Sequence, residues 1–361
     1  MGKASRRKVR SPEPVKANVV ADVGKSKPAH RHIRTLVTLL LTAATAVAAG
    51  VYWESRMATP APAPRILIGD GKQGPSGMVW VPGGEFLMGS DHKLAQANER
   101  PAHKVRVHGF WMDQHHVTNA EFRAFVAATN YKTTAERKPE WETLRVQLPA
   151  GTPKPPDDDL VPGAMVFVGT DRPVPLQDYS AWWRYVPGAD WRHPAGPGSS
   201  IEDKGDHPVV QVSYEDAQAY ARWTGKRLPT EAEWEFAARG GLEQATYIWG
   251  DQFAPNGKQM ANVWQGQQAQ PFPVVSPKAG GALGTSPVGT FPPNGYGLSD
   301  MTGNAWQWVA DWYRADQFQR ESRAGSVIDN PVGPSDSFDP DDPGAPATAP
   351  RRVTRGVFSL Q

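Results

Sequence analysis

The alternation of apolar and polar positions predicts two β segments near residue 100. The stretch "GMVWVPGGEFLMGS" (residues 77–90) has the pattern of a β-hairpin: residues 78–81 form one strand, residues 82–84 turn, and residues 86–88 return. In "HKVRVHGFWMD" (residues 103–113) apolar valines alternate with basic side chains, which is typical of a strand with one buried face. The chain is therefore expected to contain short strands.

Three later segments combine helical spacing of apolar residues with a capping box at the first turn. The capping pairs are Thr118 with Glu121, Ser213 with Asp216, and Thr230 with Glu233. Each segment is closed by a residue that ends helices readily, in order Asn130, Gly225 and Gly240. The side chains predicted to face inward in the first two helices are Phe122, Phe125, Val126, Ala217, Tyr220, Ala221 and Trp223.

Composition predicts an irregular domain around these elements. Glycine and proline number 35 each among 361 residues, so much of the chain favours turns. About eighty residues between the first and second helices show weak periodicity, and so long a loop is normally functional or disordered. The 14 tryptophans can fill a core or line a groove, because the indole ring is large and has a polar edge. We expect an α/β (α+β), loop-rich single domain.

The first 53 residues have a different character. Residues 1–34 carry ten Lys or Arg against two acidic residues, which predicts a basic disordered arm. Residues 35–53 then run without a charge and are long enough to span a bilayer as one helix. The basic arm precedes this segment, so the positive-inside rule predicts a signal-anchor with the body of the protein outside the cytoplasm, either periplasmic or extracellular.

A cleaved signal peptide is the alternative for this region, since "AATAVAAG" could hold a cleavage site. Residues 54–65 are a Pro/Ala linker, and the folded domain is expected over residues 66–361. The arm has no aromatic residue or motif that would read bases, so no nucleic-acid partner is expected.

Several classes of chemistry are excluded by residue content. The chain has no cysteine, which removes disulfides, zinc-thiolate clusters and thiol nucleophiles. Neighbouring His115 and His116 would point to opposite faces of a strand, as would His103 and His108, so they do not predict a metal site. No zinc-protease, nucleophile-elbow, P-loop or dinucleotide motif occurs.

A series of longer strings is more specific. They are "MVWVPGGEFLMGS", "VTNAEFRAFVAATNYKT", "ADWRHPAGPGSSI", "DHPVVQVSYEDAQAYARWTGKRLPTEAEWEFAARGG", "ANVWQG" and "TFPPNGYGLSDMTGNAWQWVADWY". In this order and spacing the chain resembles the formylglycine-generating enzyme family, the sulfatase-modifying factors, from about residue 77 to residue 356. The string "WRHPAGPGSSI" is similar to the true formylglycine-generating branch, and the H-x₃-H-x-E ligand motif of ergothioneine-type iron enzymes is absent.

The resemblance implies a formylglycine-generating-enzyme fold with a C-type-lectin-like core and bound calcium. It also implies a copper-dependent activity, in which O₂ oxidises the cysteine of a C-x-P-x-R segment in an unfolded sulfatase to formylglycine. In that family two active-site cysteines hold Cu(I), an ion that soft thiolates select. The implied partner is therefore a sulfatase polypeptide.

The sequence departs from the family pattern where the catalytic strand is expected. In the family a basic strand leads into G-G-S, an aromatic residue, any residue and Cys, with a second Cys five positions later. Residues 351–356 follow that lead, whereas Val357-Phe358-Ser359-Leu360-Gln361 do not. The copper-binding cysteine pair is thus absent after Gly356 and no catalytic residue is assigned. A truncated or frame-disrupted gene product and a non-catalytic peptide- or glycan-binding paralogue both remain open.

The resemblance also implies two calcium sites, each with defects. The first would use the Asn262 side chain and the Val263 carbonyl, but Gly280 and Ala282 stand where an aspartate and a further carbonyl belong. The second would use Asp300, Gly303, Ala305 and Gln307, with Gln307 replacing a glutamate. Calcium prefers several oxygen ligands that include carboxylates, so weak or partial calcium binding is expected.

Four residues are candidates for lining the substrate groove, because they lie in strings shared with the family. They are Trp191, Arg192, His193 and Trp306. A role in the core is the alternative for each aromatic residue of this set.

Overall fold

A computed structural model of the chain describes residues 74–176, 179–264, 272–275, 284–342 and 344–356. All of them lie within one compact unit, Ala63–Gln361, which is a mixed α/β domain. The predictions for the arm, the anchor and the linker concern residues outside the described ranges. Within those ranges, no helix combines the length and the apolar character that a membrane crossing requires.

The described residues form nine strands and five α-helices. The strands are β1 (Met78–Val81), β2 (Gly84–Met88), β3 (His103–Val107), β4 (Phe110–Asp113), β5 (Gly163–Phe167), β6 (Trp183–Pro187), β7 (Gln307–Trp312), β8 (Ile328–Asp329) and β9 (Arg352–Arg355). The helices are α1 (Asn119–Thr129), α2 (Trp141–Leu144), α3 (Tyr214–Trp223), α4 (Glu231–Arg239) and α5 (Gln317–Ser322).

The strands pair in four small sheets. Strand β1 pairs antiparallel with β4, β2 pairs antiparallel with β3, and β8 lies parallel to β3. The pairs β5–β6 and β7–β9 are also antiparallel. The alternation predicted for β3 is confirmed, because Val105 and Val107 are buried while Lys104 and Arg106 are exposed.

The predicted hairpin of residues 77–90 is wrong in its pairing, although both strands exist. Neighbours β1 and β2 do not pair with each other; each takes a partner from residues 103–113. The chain changes partner at Gly83, where φ is +72° and a Cβ would lie 2.6 Å from the carbonyl oxygen of Val107. Such a close approach of two backbones requires glycine, and it bends one long ribbon into two short sheets.

The three predicted capping boxes are confirmed. The side chains of Thr118, Ser213 and Thr230 each accept from the backbone N–H three positions on. The acidic side chain at that position accepts in turn from the backbone N–H of the capping residue. The inner face of α1 packs with Tyr220 of α3 in one core cluster. The prediction for Trp223 needs correction: its ring contacts Phe125 and Tyr220 but is 43% exposed, because it lies in the last turn of α3.

The long segment between α1 and α3 contains a hairpin that the sequence pattern did not predict. Strands β5 and β6 pair over five positions, from Gly163 opposite Pro187 to Phe167 opposite Trp183. Most of their side chains are only half buried or are exposed on both faces. Period-two alternation arises when one face is buried and the other is wet, so this hairpin has no clear signal.

Candidate functional site

Strands β7 and β9 meet where the family resemblance places the active site. Gln307 at the start of β7 lies opposite Arg355 at the end of β9. The carbonyl oxygen of Gly356 accepts a hydrogen bond from the backbone N–H of Gly303. The last described residue of the chain is therefore held against the loop that precedes β7.

The arginines of the β9 region are used within the fold. Arg351 pairs with Asp339 and Asp342, and the Arg352 guanidinium lies 3.4 Å from the centroid of the Trp312 ring. Arg355 is enclosed, with Glu231 at 3.3 Å and Glu235 at 2.6 Å. Paired and stacked guanidinium groups of this kind fix geometry. The basic character of this strand therefore positions its end and does not form a free cationic surface.

The carboxylates around Arg355 have different protonation tendencies. Burial raises the pKa of Glu231 to about 7, even though Arg355 opposes that change. Burial alone would also raise the pKa of Glu235, but the guanidinium groups of Arg355 and Arg239 hold it below its ordinary value. Glu235 thus stays charged between two arginines, whereas burial brings the pKa of the Glu231 carboxyl group close to neutral pH.

Trp306 is the predicted groove residue that lies at an open surface. Its side chain is 58% exposed and stacks on Trp183, with ring centroids 6.4 Å apart and planes 30° apart. Trp306 lies in the walls of two cavities, of about 340 Å³ and about 550 Å³, which also share Trp234. The smaller cavity reaches Gly356 at the end of β9. The structure therefore places the exposed Trp306 indole in the same cavity as the position where the catalytic strand is expected.

The larger cavity is mainly aromatic and apolar, with a few polar groups in its wall. The aromatic side chains in this wall include Trp111, Phe122, Tyr220, Trp234 and Trp308. Lys226 in the same wall pairs with Asp113 at 2.6 Å, and burial lowers the pKa of His116. Apolar walls with a few placed polar groups are the usual character of ligand sites.

The other three groove candidates are engaged within the fold. Trp191 is 1% exposed and packs in the α1–α3 core, so it contacts no surface ligand. The Arg192 guanidinium covers the Trp191 ring at 4.2 Å and pairs with Glu136 at 2.7 Å. His193 donates from Nδ1 to the Ser199 carbonyl at 2.6 Å. None of the three lines either cavity, which favours the core alternative for Trp191.

Sequence reasoning missed Trp183, which stacks on Trp306 but lines neither cavity itself. It follows Trp182 in the string "AWWRY", within the segment that showed weak periodicity. The aromatic density of that string was the available signal. Its position opposite Trp306 depends on the β5–β6 hairpin, which the pattern did not reveal.

The residues present do not fit a copper site. Copper(I) selects thiolate and thioether ligands, and the 361 residues include no cysteine. Among the residues that the structure describes, no group of three or more His, Cys, Asp or Glu side chains could hold a metal ion. No step of a mechanism is therefore assigned to copper.

The calcium candidates are partly brought together. Asn262, Val263 and Gly303 adjoin, since a Cβ on Gly303 would lie 2.4 Å from the Asn262 carbonyl oxygen and 3.1 Å from Val263. The Gln307 side-chain amide donates a hydrogen bond to the Asp300 carbonyl. The Gly303 carbonyl accepts from the Ala305 N–H, and the Ala305 carbonyl accepts from His116. Gly280 and Ala282 lie outside the described residues. The backbone carbonyls of Asp300, Gly303 and Ala305 thus already accept hydrogen bonds from the protein, whereas Asp300 Oδ1 has no hydrogen-bond partner among the described residues.

These features define a mixed α/β domain with two cavities that share Trp234 and Trp306, the smaller of which lies at the end of an arginine-rich strand. Residues 67–356 match the family described as the Sulfatase-modifying factor enzyme 1-like domain. The chain belongs to this family, as the sequence resemblance indicated.

The chain is similar both to relatives named as enzymes and to a relative named as inactive. The formylglycine-generating enzyme of Mycobacterium tuberculosis is 53% identical over 64% of this chain and 73% of its own length. That of Thermomonospora curvata is 45% identical over 78% and 81%. The inactive C-alpha-formylglycine-generating enzyme 2 of Bos taurus is 44% identical over 71% and 78%. Overall identity therefore does not separate the two kinds; particular residues must.

Proposed function

We propose that this chain holds the C-x-P-x-R segment of an unfolded sulfatase without oxidising its cysteine. Family membership supports the choice of ligand, and the absence of cysteine supports the absence of oxidation. The observation that carries the proposal is the exposed Trp306, which lies in the wall of both cavities and is backed by the ring of Trp183. An exposed indole beside a concave surface is a frequent anchor for a bound polypeptide.

Replacement of Trp306 by alanine is expected to weaken binding of a fluorescent C-x-P-x-R peptide to the full chain about tenfold or more. Loss of an aromatic anchor commonly costs over 1 kcal/mol, and about 1.4 kcal/mol is a tenfold change. Fluorescence anisotropy measures the dissociation constant directly.

Trp223→Ala is the matched control for this measurement. Trp223 is also a partly exposed tryptophan, but it lines neither cavity, so its removal should leave peptide affinity unchanged. Equal affinity of the Trp306 variant and the unmodified chain would contradict the proposed groove. Binding of an oligosaccharide in place of the peptide would favour the glycan-binding alternative.

We further propose that the core has the C-type-lectin-like arrangement implied by the family, and that residues 35–53 anchor the domain outside the cytoplasm. The support for the anchor is the charge asymmetry around its uncharged run.

Alkaline phosphatase fused after residue 65 is expected to be active in a bacterial host, because that enzyme requires an oxidising compartment for its disulfides. A reporter that works only in the cytoplasm should be silent at the same junction. The opposite pair of results would overturn the topology.

A further inference from the structure

The orientation of the Gln307 side-chain amide is fixed by a group that can only donate. The indole N–H of Trp234 lies 2.9 Å from Gln307 Oε1, and an indole N–H has no acceptor capacity. The oxygen of the amide therefore faces Trp234. The Nε2 group must point the other way, where it donates to the carbonyl oxygen of Asp300 at 3.1 Å.

A second network of side-chain amides joins the loop between Asp300 and Gln307 to residues 262 and 284–286. Asn304 Oδ1 accepts from the Ser286 backbone N–H at 2.8 Å, and Asn304 Nδ2 donates to the Ser286 carbonyl at 3.1 Å, which fixes this amide too. Asn262 Nδ2 donates to that same Oδ1 at 3.2 Å and to the Gly284 carbonyl at 3.0 Å. In both networks, side-chain amide N–H groups point toward the backbone carbonyls.

This arrangement disagrees with a calcium ion bound at the second site. Calcium takes six to eight oxygen ligands with carboxylates among them. Here the side chain that replaces a glutamate presents a nitrogen donor to the carbonyl of Asp300, a residue that is itself expected to help hold the ion. A cation could not lie between those two atoms while they share a hydrogen bond.

We propose that the Gln307 amide N–H takes the place of the calcium ion at the second site, so that the loop of residues 300–306 is held to β7 without metal. The Nε2 group supplies a positive dipole to the Asp300 carbonyl where the ion would supply a positive charge. The Oε1 atom fixes the side chain in this position by accepting from Trp234 of α4. The proposal does not depend on the proposed function.

One carboxylate in this loop would favour a cation, and it supplies the critical control. Asp300 is 6% exposed; its Oδ2 accepts from the Gly289 N–H at 2.7 Å, and its Oδ1 has no hydrogen-bond partner among the described residues. If an ion is bound here after all, its affinity should depend on Asp300, and Asp300→Asn should remove it.

The test compares thermal unfolding of the full chain in millimolar calcium and in excess chelator, together with calorimetric titration of calcium. The unmodified chain should unfold at one temperature in both conditions and show no saturable calcium binding. Gln307→Glu should unfold about 2–4 °C lower in chelator, since it replaces a hydrogen bond by two facing oxygens. Added calcium should restore that loss, with saturable binding.

Gln307→Met is the matched control, because methionine has similar length but neither donates strongly nor ligates calcium. It should unfold at a lowered temperature that calcium does not change. A calcium-dependent rise in the unmodified chain that Asp300→Asn abolishes would overturn the proposal. So would a Gln307→Glu variant that folds and ignores calcium. If that variant does not fold, the comparison of calcium titrations of the unmodified chain and Asp300→Asn decides: binding that depends on Asp300 overturns the proposal, and its absence supports it.

Discussion

No formylglycine is expected when the full chain is incubated with copper, O₂ and a C-x-P-x-R peptide, so conversion should remain at the level of the protein-free blank. The family activity implied by the resemblance uses Cu(I) held by two cysteines. These 361 residues include none, and nitrogen or oxygen ligands suit that ion poorly. Mass spectrometry of the peptide measures conversion directly. Formylglycine above the blank would show that the assignment of the activity to a thiolate pair is wrong for this chain.

A chimera separates missing chemistry from a defective scaffold. The segment that follows the equivalent of Gly356 in the Mycobacterium tuberculosis relative, a protein named formylglycine-generating enzyme, would be joined after Gly356 of this chain. Because β9 is paired with β7 and Arg355 is held by Glu231 and Glu235, the junction is positioned. The chimera should convert the peptide if the grafted segment brings cysteines, and the relative itself is the positive control.

The parts of the fold that sequence predicted are those decided by neighbours along the chain. The helix starts at Thr118, Ser213 and Thr230 were correct, because a capping box is complete within four residues. The burial of Val105 and Val107 was also predicted correctly, because alternation of apolar and polar residues is likewise a pattern of neighbours along the chain. The pairing of β1 was not, since it depends on the approach of Gly83 to residues 107–109, which no local pattern encodes.

The candidate site shows the same limit. Resemblance located Trp306 and Gln307, yet it could not distinguish an exposed indole from the buried one of Trp191, since both lie in equally specific strings. The direction of the Gln307 amide depends on Trp234, 73 residues away in sequence. Sequence alone therefore placed Gln307 among the calcium ligands, while the hydrogen bonds across the fold assign it the opposite polarity.

Trp191→Ala is expected to lower the free energy of unfolding by about 3–5 kcal/mol, the usual cost of truncating a buried aromatic residue. Trp191 is 1% exposed and meets Phe122 edge to face with ring centroids 5.2 Å apart. Urea unfolding of the full chain in mild detergent, followed by circular dichroism, gives the change.

Two variants test whether this loss comes from packing. Trp306→Ala removes the same side chain from a site that is 58% exposed, so its effect on stability should stay within about 0.5 kcal/mol. Trp191→Phe keeps an aromatic ring and removes an indole N–H that has no hydrogen-bond partner within the part of the chain that the structure describes. An unpaired buried donor costs about 1–3 kcal/mol, which offsets part of the lost volume, so Trp191→Phe should be distinctly milder than Trp191→Ala. Equal losses for Trp191→Ala and Trp306→Ala would contradict the core role of Trp191 and return it to the groove.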